Sequence, residues 1–274
     1  MSAEPIHNNE LDVHRTLGAL SLGALFSSVL FGIATLQVYT YYLHVPKDKS
    51  RLKGLVSWFC ELAHYICVCH FVYTWTITEY GHPEALTVRP PPSISATILI
   101  GAFIGPSVQI FFADRVRVLS QGRLIIPIFC WTAAIVLVAI EIFISFQAFR
   151  CSNVSSFEIE WRWWIIASLG LSAAIDIVEA VSICFYLGRL RSQSMASTAT
   201  NIQTIMIWTM ETGLLKSISE VSIVIWFILM PNTFIWIALF ICLARMHSNS
   251  LLVSLNSRVM LPQPTLYLSK PAEV

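Results

Sequence analysis

The side chains of this sequence that could do chemistry are polar residues that interrupt otherwise apolar stretches. They comprise carboxylates, two histidines, one amide and one lysine: Glu61, His64, His70, Gln109, Glu141, Asp176, Glu179, Glu211, Lys216 and Glu220. Ionisable groups in apolar surroundings are costly, so they usually face one another or a cavity. Such a set suits a polar network that fixes helix packing, a ligand or ion site, or catalysis. We favour the packing network over the ligand or ion site, and both over catalysis.

Three pairs within this set have helical spacing. They are Glu61 with His64, Asp176 with Glu179, and Lys216 with Glu220. Residues three or four positions apart lie side by side on a helix face. We therefore expect Lys216 and Glu220 to form an ion pair within one helix, which would neutralise the most costly charge of the set.

Known catalytic and metal-binding patterns do not fit these residues. Glu61, His64 and Asp176 could converge, but the sequence has no recognised metal spacing such as His-Glu-x-x-His. A nucleophile elbow and a phosphate-binding loop are also missing from the sequence. The seven cysteines are not spaced as metal ligands or as a disulfide framework, and packing is their simplest role. We thus assign no catalytic residue, no metal ligand and no cofactor.

The elements that must position these side chains are seven long apolar stretches. The chain is 56% hydrophobic and 12% charged, whereas soluble domains carry about 25% charged residues. A membrane-spanning helix needs roughly 20 mostly apolar residues. The stretches cover residues 17–43, 54–77, 94–113, 124–149, 163–187, 204–226 and 233–246. The sequence predicts an all-α, polytopic membrane protein with a seven-transmembrane-helix bundle, in which the short seventh span either ends at Met246 or extends to Leu255.

The positive charges predict the orientation of this bundle. Twelve Lys and Arg residues fall in the first, third and fifth loops and in a tail counted from Arg245, and four fall on the other side. Basic loops face the cytoplasm. The domain prediction is therefore an extracellular segment 1–16, a helical domain 17–258, and a cytoplasmic, disordered tail 259–274. Asn153, in the sequon Asn153-Val154-Ser155, would then be an outward-facing candidate for N-glycosylation.

Composition also limits the partners. A net charge of +1 argues against nucleic acid, which attracts strongly basic proteins. The expected partners are the lipid bilayer, a small apolar or lipid-like ligand, and a cytoplasmic protein at the basic loops. A multi-pass location in the plasma membrane is favoured over internal membranes.

Several sequence runs resemble one family, catalogued as domain of unknown function 6534 and abundant in mushroom-forming fungi. The runs are 18–42 with Gln37-Val38-Tyr39-Thr40-Tyr41-Tyr42, then 109–113 with Arg115-Val116 and Leu119-Ser120, then Asp176, Arg189, Thr212-Gly213, Asn249-Ser250-Leu251-Leu252 and Leu255-Asn256-Ser257-Arg258. The resemblance extends over about residues 17–258 and implies a fungal protein with seven spans. It does not include Lys216 and Glu220, and it implies no activity, substrate or catalytic residue.

Two functions of different classes remain after this reading. The first is a non-enzymatic heptahelical sensor or receptor-like protein, which predicts an outward-facing pocket lined by spans two, five, six and seven. The Asp114-Arg115-Val116 run at the end of span three is similar to the Asp-Arg-Tyr motif of G-protein-coupled receptors. The alternative is a small transporter or intramembrane enzyme, which predicts that Glu61, His64, Asp176 and Glu179 converge on one cavity.

Overall fold

The protein is described here by a computed structural model. It describes residues 13–44, 51–82, 90–192, 196–231 and 233–260, with the backbone alone at 51–53, 196–202 and 257–260. These residues form eight α-helices: α1 (Ala19–His44), α2 (Arg51–Tyr73), α3 (Pro92–Leu119), α4 (Ile125–Arg150), α5 (Val154–Glu160), α6 (Arg162–Ser192), α7 (Ala196–Leu229) and α8 (Ile235–Met260). Single π-helical turns, His14–Gly18 and Thr74–Thr78, precede α1 and follow α2.

Seven of these helices are long and apolar enough to cross a membrane, counting the described residues only. The spans are His14–His44, Gly54–Thr78, Pro92–Leu119, Ile125–Arg150, Arg162–Ser192, Gln203–Leu229 and Ile235–Asn256. The prediction of an all-helical protein with seven helices long and apolar enough to cross a membrane is confirmed, and each apolar stretch of the sequence corresponds to one of these helices. The remaining helix, α5, is a short element in the connection between α4 and α6 that the sequence reading did not predict.

The spans pack in chain order around two central helices. Neighbouring pairs along the chain pack against one another, and α1 closes the ring against α8. Helix α3 also contacts α6 and α8, and α8 also contacts α2, so that α3 and α8 contact more of the other spans than any other span does. Of the 18 most apolar consecutive residues in each span, 61% are buried in α8 and 56% in α6, but only 22% in α1, α2 and α4. The polar residues of α6 and α8 are therefore carried by the helices that are best shielded from lipid.

The last span continues beyond Met246, the nearer of its two predicted ends. Helix α8 continues through Met246, and its apolar span reaches Asn256. Arg245, which the sequence reading counted as a cytoplasmic tail charge, is fully buried within the bundle. That assignment was wrong, because a short polar run inside a helix was taken for the end of the helix. The predicted extracellular segment up to residue 12 and the tail from residue 261 lie outside the described residues.

Two glycines allow close helix packing. A Cβ atom at Gly23 of α1 would lie 2.8 Å from the Cα atom and the carbonyl oxygen of Ala238 on α8. A Cβ atom at Gly213 of α7 would lie 2.8 Å from Cβ of Ala180 on α6. Small residues at such crossings let helix backbones approach closely, which is a principal source of packing energy within a bilayer.

Candidate functional site

The buried ionisable residues form two clusters near the middle of the helices. One is organised around Arg245 of α8 and the other around Asp176 of α6. The sequence reading named members of both clusters without separating them. Because α8 contributes Arg245 to one and His247 to the other, this central helix is shared by the two clusters.

In the first cluster, which we call the Arg245 cluster, residues of α1 and α2 accept the hydrogen bonds of the guanidinium group of Arg245 on α8. Arg245 forms an ion pair with the Glu61 carboxylate and donates to the Glu61 backbone oxygen at 2.9 Å. It also donates to Ser27 Oγ at 3.2 Å and to His64 Nδ1 at 3.1 Å. Ser248 Oγ donates to Glu61 Oε1 at 2.6 Å. These contacts tie α1, α2 and α8 together, and opposite charges are matched within the cluster.

Aromatic rings complete the surroundings of Arg245. Its guanidinium carbon lies 5.3 Å from the Phe31 ring centre and 5.7 Å from the Tyr65 ring centre. The two rings stack on each other at 5.0 Å. A guanidinium over aromatic faces gains cation–π attraction, and more so when water is excluded. The geometry of this cluster indicates a role in fixing the three helices.

The same contacts fix the protonation of His64. A guanidinium can only donate, so His64 Nδ1 must accept from Arg245 and carries no proton. In the neutral ring the proton then lies on Nε2, which has no hydrogen-bond partner in the structure. His64 lines a polar cavity described below, so it can present an N–H group there.

The second cluster, which we call the Asp176 cluster, joins α3, α6, α7 and α8. Lys216 Nζ lies 3.0 Å from Asp176 Oδ1, and Gln109 Nε2 donates to the same oxygen at 3.3 Å. Ser172 Oγ donates to Glu220 Oε1 at 2.5 Å. The expected pair between Lys216 and Glu220 was therefore wrong, since among the described ion pairs Lys216 is matched to a carboxylate on the neighbouring helix. The Asp176 carboxylate attracts the Lys216 ammonium group across the interface of α6 and α7, and Gln109 donates a hydrogen bond to the same carboxylate.

His247 is the member of this cluster that the sequence reading missed. Its Nδ1 atom lies 3.1 Å from the backbone oxygen of Leu243, one turn earlier on α8. A carbonyl oxygen only accepts, so Nδ1 carries a proton. Its Nε2 atom faces acceptors, at 3.4 Å from Asp176 Oδ2 and 3.9 Å from Glu220 Oε1. The only sequence signal for His247 was its position two residues after Arg245. It lies just beyond Met246, the nearer predicted end of the seventh span.

Two further carboxylates have buried oxygens without a hydrogen-bond partner. Both oxygens of Glu179 on α6 are of this kind, and so is Oε2 of Glu141 on α4. Glu179 lies one turn from Asp176 and lines the same small space as Lys216. Glu141 belongs to neither cluster and instead faces two larger cavities.

Three other residues singled out from the sequence lie elsewhere. His70 and Glu211 are exposed on the outside of the bundle, so they are not members of the expected buried network. His70 Nδ1 lies 2.9 Å from Ser93 Oγ. Asn153 caps the short helix α5, because its side chain accepts from Ser155 N at 2.8 Å. Glycosylation of Asn153 stays a prediction.

A cavity lined mostly by apolar side chains, which we call the apolar cavity, lies at the end of the bundle where α1 begins. It has about 910 Å³ of empty space, including its mouth. Its lining comes mainly from aromatic and aliphatic side chains, among them Phe71, Trp75, Ile144, Phe157, Ile223 and Trp236. The polar side chains in the lining are Thr97, Glu141 and Ser168.

A second cavity, which we call the polar chamber, lies deeper in the bundle. It has about 450 Å³ of empty space and is lined by His64, Gly105, Pro106, Glu141, Ser172 and His247, among others. Glu141, Leu169 and Phe240 line both cavities. The Glu141 carboxyl group therefore lies at the boundary between the apolar cavity and the chamber that reaches both polar clusters.

The charge of the Asp176 cluster is not balanced by its own residues. Asp176, Glu179 and Glu220 are matched by Lys216 alone, if His247 is neutral. Isolated buried charges are very unfavourable, so this excess of two negative charges requires protons or a bound cation. The arrangement can therefore hold a cation, and it lies beside a chamber that shares lining residues with the apolar cavity.

Comparison with known proteins gives a family match for part of the chain. Residues 172–260 match the model of a family described as "Family of unknown function (DUF6534)". The resemblance to domain of unknown function 6534 is thereby confirmed over this segment. Ser172, Asp176, Lys216, Glu220 and His247 all fall within it. No curated protein and no solved structure matches the chain.

Proposed function

We propose that this protein is a non-enzymatic, receptor-like or sensor protein of the membrane that binds a small apolar or lipid-like ligand in the apolar cavity. The observation that carries the proposal is that cavity itself. Ligand pockets usually combine a mostly apolar lining with a few polar groups that orient the ligand. A cavity lined mainly by aromatic and aliphatic side chains, with three polar side chains among them, has this character.

The position of Glu141 narrows the ligand class. Its carboxyl group has one oxygen without a partner and lies at the deep side of an otherwise apolar space. A ligand with an apolar body and one amine or hydroxyl group would place its donor on Glu141. Its apolar body would contact Trp75, Phe157 and Trp236 near the end of the bundle.

The proposed orientation places this cavity on the outer side. Arg117, Arg123, Arg189 and Arg191 lie at the end of the bundle opposite the apolar cavity. Even without Arg245, the basic excess lies on that opposite side, which the positive-inside rule assigns to the cytoplasm. Asn153 lies at the same end as the apolar cavity. These features support an outward N-terminus, and a plasma-membrane location in a fungal cell remains part of the proposal.

The basic end is then the proposed contact surface for a cytoplasmic protein. Asp114 and Arg117 form an ion pair there at 2.6 Å, and Arg115 donates to Ser254 of α8. The first contact lies within α3, and the second connects the end of α3 to the central helix α8. A change at the cavity that moved α3 relative to α8 would alter this surface, which is how such a protein would report ligand binding.

The alternative of a transporter or intramembrane enzyme has less support from the geometry. It required Glu61, His64, Asp176 and Glu179 to share one cavity. Glu61 and His64 belong to the Arg245 cluster, whereas Asp176 and Glu179 line a separate small space with Lys216. The four residues therefore do not form one constellation.

Ligand-induced thermal shifts of the purified protein would test the proposal. A panel of sterols, fatty alcohols and long-chain amines should contain compounds that raise the melting temperature. Ala148 lines the apolar cavity on α4, so Ala148→Leu should reduce the ligand-induced shift by filling the space. The same substitution at the exposed Ala139 on the same helix should leave the shift unchanged.

Glu141→Gln tests which class of ligand binds in the apolar cavity. Binding of amines should weaken while binding of neutral alcohols should persist, because the amide keeps the shape but loses the negative charge. The proposal is overturned if no compound of the panel shifts the melting temperature, or if Ala148→Leu and Ala139→Leu reduce the shift equally.

A further inference from the structure

We propose that Asp176, Glu220 and His247 form a binding site for a divalent transition-metal ion of the Zn²⁺ type, separate from the apolar cavity. One ligand atom from each of the three residues lies within 4.8 Å of the other two. All three side chains are almost completely buried. The sequence predicted no metal ligands, because the three residues lie on three different helices, α6, α7 and α8, and their spacing follows no known motif.

The distances suit a small coordination sphere. Zinc binds histidine nitrogen and carboxylate oxygen at about 2.0–2.2 Å, so tetrahedral ligand atoms lie roughly 3.3–3.6 Å apart. His247 Nε2 lies 3.4 Å from Asp176 Oδ2 and 3.9 Å from Glu220 Oε1. Small side-chain shifts would bring all three atoms onto one ion.

The tautomer of His247 is the one that a metal ligand needs. Nδ1 lies 3.1 Å from the Leu243 backbone oxygen and therefore carries a proton. Metal-binding histidines commonly donate their second ring nitrogen in this way, which orients the ring and fixes the tautomer. The lone pair of Nε2 then points towards Asp176 Oδ2 and Glu220, where only acceptors are found. Such an arrangement is repulsive unless a cation lies between them.

Two of the atoms facing this point have no other partner. Asp176 Oδ2 and His247 Nε2 are buried and make no hydrogen bond. The third, Glu220 Oε1, accepts from Ser172 Oγ, and a carboxylate oxygen has a second lone pair for an ion. Asp176 Oδ1 accepts from Lys216 and Gln109, and Glu220 Oε2 is buried without a partner. Both carboxylates are thus oriented by neighbouring helices and keep lone pairs available to an ion.

Charge balance favours a divalent ion over a single proton. With His247 neutral, three carboxylates and Lys216 leave two negative charges in the Asp176 cluster. A divalent ion brings this sum to zero, as two protons on the carboxylates would, whereas one proton on His247 leaves an uncompensated buried charge. Three protein ligands would leave a fourth position. His247 and Ser172 line the polar chamber, which provides a path for the ion and space for a water molecule or another ligand at that position.

Metal content would test this assignment. Full-length protein without a polyhistidine tag is stripped with a chelator, equilibrated with Zn²⁺ and analysed by mass spectrometry. We expect one bound ion per chain, lost in His247→Leu and in Glu220→Gln. The matched controls are His70→Leu and Glu211→Gln, which change the same residue types at exposed positions and should retain the ion.

A milder variant separates metal binding from folding. Ser172→Ala removes the donor to Glu220 Oε1 and should weaken Zn²⁺ binding by about 10- to 100-fold, as is typical for residues that support metal ligands. Ser168→Ala is the control, since Ser168 Oγ donates to the carbonyl of Ile165 on its own helix. Ala148→Leu should not change the metal content, so failure of the ligand proposal and failure of the metal proposal are distinguishable.

Cobalt substitution of the unaltered protein decides the matter even if variants do not fold. Tetrahedral Co²⁺ bound to nitrogen and oxygen should give intense visible d–d bands without thiolate charge-transfer bands. The proposal is wrong if the spectrum is that of aqueous Co²⁺. It is equally wrong if wild-type protein binds no more Zn²⁺ than Glu220→Gln, which would mean that a charged His247 alone pairs with Asp176.

Discussion

Lys216 of α7 and Asp176 of α6 form an ion pair, with Nζ 3.0 Å from Oδ1, near the middle of the bundle. Both side chains are almost completely buried, and the lysine ammonium also lies 5.3 Å from the ring centre of Phe112. Gly213, one turn before Lys216, allows α7 to approach α6 closely. The pair is therefore part of the interface that brings together the carboxylates of the Asp176 cluster.

Replacing the lysine of this pair should destabilise the protein. Lys216→Met leaves Asp176 without its cation, and removing one partner of a buried pair costs about 3–5 kcal/mol. We expect a clear fall in the melting temperature of the purified protein. Lys216→Met combined with Asp176→Asn should recover part of the loss. An unchanged melting temperature in the single variant would contradict the pairing.

Replacing Arg245 by a residue without a guanidinium group should destabilise the protein. Arg245→Met removes the donors to Glu61, Ser27 and His64, and it leaves the Glu61 carboxylate unpaired. Arg245→Lys keeps the charge but cannot make the same set of bonds or the same contacts with aromatic rings. Both variants should lower the melting temperature by more than Arg189→Met, which changes an exposed arginine. Equal effects at the two positions would rule out a structural role for Arg245.

Close packing of α1 against α8 should make Gly23 sensitive to a single methyl group. Gly23→Ala would place Cβ 2.8 Å from backbone atoms of Ala238, and overpacking of this kind typically costs about 1–3 kcal/mol. Gly32→Ala is the control on the same helix, since nothing lies within 4 Å of its added Cβ. Melting temperatures should fall for the first variant only. A fall of the same size in both variants would show that contact with Ala238 is not the cause, since alanine favours a helix more than glycine does.

Glu158 should make stability depend on pH. It lies on α5, outside the spans, where burial raises its pKa from 4.5 to about 8 although the hydrogen bond from Trp236 Nε1 at 3.1 Å lowers it. The folded protein therefore binds this proton more tightly than the unfolded chain. The resulting stabilisation is fully present below about pH 4.5 and decreases as the pH rises towards 8.

This pH dependence can be measured as the difference in melting temperature between wild type and Glu158→Gln. Relative to the variant, the wild type should lose stability between about pH 5 and pH 8. Glu160→Gln, an exposed change on the same short helix, should keep the wild-type slope. Parallel curves for wild type and Glu158→Gln would show that Glu158 is ionised throughout this range.

The sequence was sufficient for the architecture because a membrane helix is specified locally. Each span needs a continuous apolar run of a given length, and that property can be read without knowing what packs against it. It was insufficient at α8, where Arg245, His247 and Ser248 interrupt the apolar run. Within a bundle such residues can be paired by other helices, so a polar run does not mark the end of a span.

By itself, the sequence determined seven apolar helices and a set of polar residues that must avoid lipid. Helical spacing could only propose partners on the same helix, such as Lys216 with Glu220. Only the tertiary structure decided that Lys216 pairs with Asp176, that Arg245 joins Glu61, and that His247 faces Glu220. The physical reason is that the energy of a buried charge depends on which side chains neighbouring helices bring within a few ångströms. Those distances are set by the packing of the whole bundle.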